Sequence, residues 1–235
     1  MVESYSKNAN HNMRRPVVKE NVVQFLRQLL ASQPHHLHEL EIFAQKENIP
    51  IIQPEVAAYF RWLLETIRPK RILEIGTAIG YSALLMADSS KESTIVTIDR
   101  NPEMIALAKE NFSKFDSRHQ ISLLEGDALD ILPNLEGRFD FVFMDSAKSK
   151  YVVFLPELLK YLSVGGLIIM DDVLQGGDVS KPIEEVRRGQ RTIYRGLQRL
   201  FNQTLKNPAL TTSLIPMSDG LLMLRKNEEK VILKD

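Results

Sequence analysis

The sequence predicts an α/β fold: a Rossmann-like, seven-stranded, mostly parallel sheet with an antiparallel C-terminal hairpin strand and an N-terminal helical extension. Three observations carry that expectation. Beyond Pro69, short apolar runs alternate with helical patterns, and such crossovers join parallel strands. One run, Arg71–Ile75, opens into a glycine-bearing loop, Gly76-Thr-Ala-Ile-Gly80, and then into a helical pattern. Near the end, two strand-like runs flank Ser218-Asp219, a hairpin signal that adds an antiparallel edge.

A chain of 235 residues with 44% hydrophobic content can bury a full core. Lys+Arg and Asp+Glu are equal at 30 each, so global charge names no partner. The absence of cysteine excludes disulfides, thiolate metal sites and cysteine nucleophiles. Met1–Asn12 is polar and lacks an apolar stretch, so no secretory signal is expected. No apolar run approaches the roughly 20 residues of a membrane span. A cytoplasmic protein with no membrane partner is the expectation.

The elements follow in order. Apolar residues at Val18, Val22, Phe25, Leu26, Leu29 and Leu30 recur at helical spacing, giving a helix over 17–31. A second helix is expected over 37–47 and, after Pro50 and Pro54, a third over 55–67. Arg71–Ile75, 94–98, 121–124, Phe139–Met144 and 167–170 read as strands. Helices over 82–88, Pro102–Phe115 and 151–162 separate them; Pro102 suits a first-turn position, and Gly165-Gly166 ends the last. A long basic helix over 183–201 precedes final strands at 211–216 and 220–224.

In such sheets a ligand sits at the carboxyl ends of the strands. Five strand ends here carry Glu74 with Gly76, Asp99, Gly126-Asp127, Asp145, and Asp171-Asp172. A single Asp there could simply cap a helix; so many together point to ligand binding. The loop spacing is Gly-x-x-x-Gly, not Gly-x-Gly-x-x-Gly, and Asp99 lies 23 positions after Gly76, placed to accept ribose hydroxyls. If the strands of Asp145 and Asp171 are neighbours, their carboxylates are about 5 Å apart and repel without a cation. Oxygen-only ligands suit Mg²⁺, Mn²⁺ or Ca²⁺ rather than zinc.

The stretch Glu74-Ile-Gly-Thr-x-x-Gly80-Tyr-Ser resembles the first motif of class I S-adenosylmethionine-dependent methyltransferases. Asp99 resembles their ribose-binding acid, and Gly126-Asp127-Ala128 their adenine-side turn. Asp145-x-x-Lys148 and Asp171-Asp172 are similar to the metal motifs of the cation-dependent O-methyltransferases of the catechol and caffeoyl-CoA type. The full-length pattern is most similar to the bacterial branch acting on 5-hydroxyuridine in tRNA. The likeness runs over 49–224; that family usually has Asp-Asn where this chain has Asp171-Asp172.

The resemblance implies residues 1–68 as a helical extension or lid and 69–235 as the methyltransferase domain. It implies S-adenosylmethionine held by Ile52, Glu74, Gly76, Ser82, Asp99, Gly126, Asp127 and Asp145, with Arg100 over the adenine. It implies a divalent cation on Asp145, Asp171 and Asp172, and catalysis by Asp145 and Lys148, the lysine accepting a proton with a pKa lowered by the cation. A homodimer is also implied.

For the acceptor, Arg188, Arg191, Arg195 and Arg199 share a helix face and suggest phosphate binding, by RNA or by a coenzyme A group. Arg14 and Arg15 could extend that surface. Wobble 5-hydroxyuridine in a tRNA anticodon loop is the expected acceptor, giving 5-methoxyuridine, with a small catechol or phenylpropanoid-CoA as the alternative. A Rossmann dehydrogenase and a non-catalytic RNA-binding module are the competing classes; the glycine spacing and the acidic triplet argue against the first.

Overall fold

The computed structural model describes residues 17–234. Its elements are α1 (Glu20–Leu29), α2 (His35–Glu47), α3 (Pro54–Ile67), β1 (Arg71–Ile75), α4 (Tyr81–Ser89), β2 (Thr94–Asp99), α5 (Pro102–Phe115) and β3 (Ile121–Glu125). There follow α6 (Ala128–Ile131), β4 (Phe139–Met144), α7 (Tyr151–Tyr161), β5 (Leu162–Met170), α8 (Arg191–Thr204), β6 (Leu210–Ile215) and β7 (Leu221–Lys226). The seven strands form one sheet in the order β3-β2-β1-β4-β5-β7-β6. β1 to β5 pair in parallel, while β7 runs antiparallel to both β5 and β6. Order reverses at β1, and the crevice beside it is where a ligand is expected.

Alternation along the strands fills two cores. Leu73 and Ile75 of β1, Val142 and Met144 of β4, and Ile168 and Met170 of β5 face α7 and α8. Ile72, Phe141, Phe143 and Ile169 face α2, α3 and α4. The N-terminal helices therefore share a core with the sheet: Phe60 of α3 is fully buried and meets Phe141 and Phe143 edge-on, at centroid distances of 5.9 and 4.7 Å.

Two element boundaries differ from expectation for identifiable reasons. β5 begins at Leu162, so Gly165-Gly166 lies inside a strand; the pairing slips between Phe139↔Leu162 and Phe141↔Leu167, and Gly165, at φ +86°, takes up the extra chain. The long basic helix is shorter: α8 starts at Arg191, Arg188–Gln190 is a 3₁₀ turn, and Arg187 is extended with ψ 135°. Arg188 thus lies outside the α-helix that was to carry it. Arg14 and Arg15 lie outside the described residues. No helix among the described residues is long and apolar enough to cross a membrane.

Phe60→Ala should cost about 3–5 kcal/mol, since it empties the aromatic contact between α3 and β4. Urea denaturation checks this, and a loss below about 1 kcal/mol would mean that α3 is not locked to the sheet.

Candidate active site

A cavity of about 730 Å³ opens at the carboxyl ends of β1, β2, β4 and β5. This is within the range of small-molecule sites. Its wall includes Gly76–Ala78, Asp99, Gly126–Ala128, Asp145–Lys148, Asp171 and Asp172, with Ile49–Gln53 and Arg27 contributed by the N-terminal segment.

The glycine loop is shaped by what surrounds it. Gly76 has φ +103°, and a Cβ there would collide with the carbonyl oxygen of Asp145. Asp99 holds the loop from the other side: its Oδ2 accepts from the amides of Thr77 and Ala78, each at 2.9 Å, and its Oδ1 from the amide of Asn101 at 2.9 Å. A carboxylate has about four acceptor positions. Three are taken, leaving one for a ligand hydroxyl rather than the two that ribose recognition was expected to use.

The β4 and β5 ends gather charge because Met144 and Met170 are register partners. Lys148 Nζ lies 2.9 Å from Asp172 Oδ2 and 3.7 Å from Asp145 Oδ1. Asp171 is buried, and its Oδ1 accepts the Asp172 amide at 2.7 Å. Burial raises the Asp145 carboxyl pKa; the Lys148 charge opposes this and Asp172 adds to it. Asp171 is raised well above the usual range by burial and then by Asp172 and Asp145.

The comparisons with known proteins agree in kind. The O-methyltransferase family model matches residues 27–227. Caffeoyl-CoA O-methyltransferase 1 of Eucalyptus globulus is 31% identical over 206 residues, covering 83% of this chain and 82% of that protein. Caffeoyl-CoA O-methyltransferase 2 of Populus trichocarpa is 29% identical over 204 residues, covering 83% of each. Among solved structures, SAH-bound methyltransferase PaMTH1 of Podospora anserina superposes with a TM-score of 0.80 at 26% identity, over 88% of this chain and 94% of that one. The chain belongs to the O-methyltransferase family. It is an S-adenosylmethionine-dependent O-methyltransferase.

In this O-methyltransferase, Ile52, Gly76, Ser82, Asp99, Gly126, Asp127, Asp145, Lys148, Asp171 and Asp172 all border the cavity. Glu74 does not. It is fully buried in β1 and faces α4, where Oε1 accepts from Ser82 Oγ and Oε2 from Thr97 Oγ1 at 2.5 Å. Thr97 is its register partner on β2, and Thr77 Oγ1 lies 2.6 Å from Thr97 Oγ1. Glu74 thus supports the loop from beneath, one layer behind the cavity wall. Burial pushes its pKa up to about 8 against the two hydroxyl donors. Asp127 also uses its carboxylate locally: Oδ1 caps α6 at the Leu129 amide (3.0 Å) and Oδ2 pairs with Arg100 (2.8 Å).

Among the described residues no three His, Asp or Glu side chains converge as Asp145, Asp171 and Asp172 were expected to around a cation; Lys148 stands between Asp145 and Asp172 instead. Asp171 is turned to its neighbour's amide, and Asp172 has a left-handed backbone, φ 55°. The pair that does meet, Asp145 and Asp172 around Lys148, still offers the oxygen donors that Mg²⁺ takes from one or two carboxylates. In the protein alone, burial lowers the Lys148 pKa, but the neighbouring Asp145 and Asp172 carboxylates outweigh it and hold the lysine above its usual value.

Arg188, Arg191, Arg195 and Arg199 are absent from the cavity wall. Arg191 donates to the carbonyls of Val186 and Glu184, both at 3.0 Å, so its guanidinium is committed to the chain. Arg188, Arg195 and Arg199 are exposed. Tyr151, Thr97 and Tyr81 were missed: each reads in sequence as an ordinary apolar or strand residue. Tyr81 OH donates to Glu41 at 2.5 Å, tying the start of α4 to α2.

Because the folded pKa of Glu74 is raised, its contribution to stability is complete below about pH 4.5 and is lost as pH rises to about 8. Glu74→Gln removes this slope. Chemical denaturation across that pH range should show the wild type losing stability relative to the variant, and parallel curves would contradict the buried neutral carboxyl.

Proposed function

We propose that this O-methyltransferase methylates a hydroxyl that has a second oxygen beside it, with a divalent cation, Mg²⁺ or alternatively Mn²⁺ or Ca²⁺, at Asp145 and Asp172. The observation that carries this reading is the cavity shared by the glycine loop and the acidic pair. S-adenosylmethionine supplies the methyl group, and the cation would polarise the acceptor hydroxyl. Asp99 orients the nucleoside end of the donor through its remaining acceptor position. Asp145 and Asp172 fix the acceptor's paired oxygens against that donor, which supplies the in-line geometry the transfer needs. Lys148 would take the hydroxyl proton at Nζ after first losing its own proton to solvent, which the exchange of its ion pairs with Asp145 and Asp172 for a cation held there would favour. Residues Ile49–Gln53 and Arg27, which Glu55 and Gln53 anchor, wall the cavity and exclude water.

The relatives, caffeoyl-CoA O-methyltransferases by name, support a phenylpropanoid-CoA acceptor, and a small catechol would present the same paired oxygens. A second reading, wobble 5-hydroxyuridine in tRNA, keeps the same paired-oxygen chemistry through its O4 and O5. What supports it is basic surface near the cavity mouth: exposed Lys150 borders the cavity, and α8, which carries exposed Arg195 and Arg199, packs against the Lys148–Lys150 turn through Gly196. We also infer a homodimer, for which Val22, Phe25, Leu26 and Leu29 of α1 present an exposed apolar face. A monomer throughout the micromolar range in sedimentation velocity would overturn it.

Purified protein with labelled S-adenosylmethionine and Mg²⁺ should methylate vicinal dihydroxy aromatics but not their monohydroxy analogues, and EDTA should abolish turnover. If tRNA carrying 5-hydroxyuridine is methylated at far higher kcat/KM than any catechol or CoA ester, the second reading holds. Chelator-resistant turnover would remove the cation from the mechanism.

A further inference from the structure

We infer that Tyr151 is a positioning residue whose hydroxyl replaces one rung of the sheet and sets the spacing between the strand ends that carry Asp145 and Asp172. This rests on the cation reading above. The β4–β5 ladder ends with the Asp171 amide donating to the Met144 carbonyl at 3.0 Å. In a parallel ladder the next bond would run from the Ser146 amide to the Asp171 carbonyl. The Tyr151 oxygen stands in that place. It lies 3.4 Å from the Ser146 amide, which donates to it, and its own proton is shared between the carbonyls of Met144 at 3.0 Å and Asp171 at 3.1 Å.

One oxygen between two strands keeps them apart at a distance that a direct amide–carbonyl bond would close. The side chain is fully buried, and it opens α7 directly after the Lys148–Lys150 turn, so its ring cannot move without moving that turn. The strand ends diverge at this point, and Asp172 then enters its left-handed conformation. Continued register would set Asp145 beside Asp171; Asp145 and Asp172 instead face one another across Lys148. A phenylalanine would fill the same volume but leave the Asp171 carbonyl and Ser146 amide without their bridge. The relaxed strands would then close or splay.

The test is Tyr151→Phe, read by Mn²⁺ binding in electron paramagnetic resonance and by steady-state kinetics. Expected are at least about tenfold weaker Mn²⁺ binding and a lower kcat, with the KM for S-adenosylmethionine unchanged. A purely structural role would lower the melting temperature and leave Mn²⁺ affinity within twofold, and that result overturns the inference. 3,5-Difluorotyrosine at position 151 keeps the side chain's shape but weakens the hydroxyl as an acceptor, and serves if the phenylalanine variant does not fold. Mn²⁺ binding weakened about threefold or more supports the spacer, and unchanged binding refutes it. A wild type that binds no Mn²⁺ while turning over would instead bring down the cation reading itself.

Discussion

Parallel pairing of β1 with both β2 and β4 is the constraint on which the rest of the structure depends. It brings the ends of these strands to one edge in register, Ile75 beside Ile98 and beside Met144. Residues that follow each strand therefore meet: Gly76 against the Asp145 backbone, and Asp99 against the loop amides. A side chain at position 76 would force β1 and β4 apart, so the glycine serves strand packing as much as ligand approach.

Concentrating acids at one edge creates a burial problem, and the molecule solves it in two ways. Glu74 is surrounded by hydroxyls and the apolar face of α4, and its elevated pKa shows that the neutral form is favoured there. It can hold the loop without carrying charge into the core. Asp145 and Asp172 keep a lysine between them at the cavity wall. That ammonium balances them in the protein alone, and it is also the group proposed to accept a proton.

The O-methyltransferase family explains the donor half of the site better than the acceptor half. The loop, Asp99 and the turn at Gly126 lie on elements that the sheet fixes. The segments after β4 and β5 that border the cavity, Asp145–Lys148 with Asp171 and Asp172, lie in turns whose conformation departs most from simple periodicity, and turns are where related folds vary most.

Strand alternation, the glycine spacing and the acids at strand ends were legible in the sequence because each is local: a period of two, a backbone that must turn, a residue following an apolar run. They determined the sheet, the cavity's position and most of the residues around it. What only the tertiary structure decided depends on partners far apart in the chain. Glu74 leaves the cavity because Thr97 and Ser82 capture it; the three carboxylates separate because Asp171 turns to its neighbour's amide; Arg191 folds back onto Val186 and Glu184. Helical spacing did not reveal that Arg187 leaves the expected helix at ψ 135°, between buried Val186 and a 3₁₀ turn that contains Gly189. The sequence by itself determined which chemical groups arrive at the strand ends. The tertiary structure decided which of them face the cavity, because that depends on which polar partner each finds when water is removed.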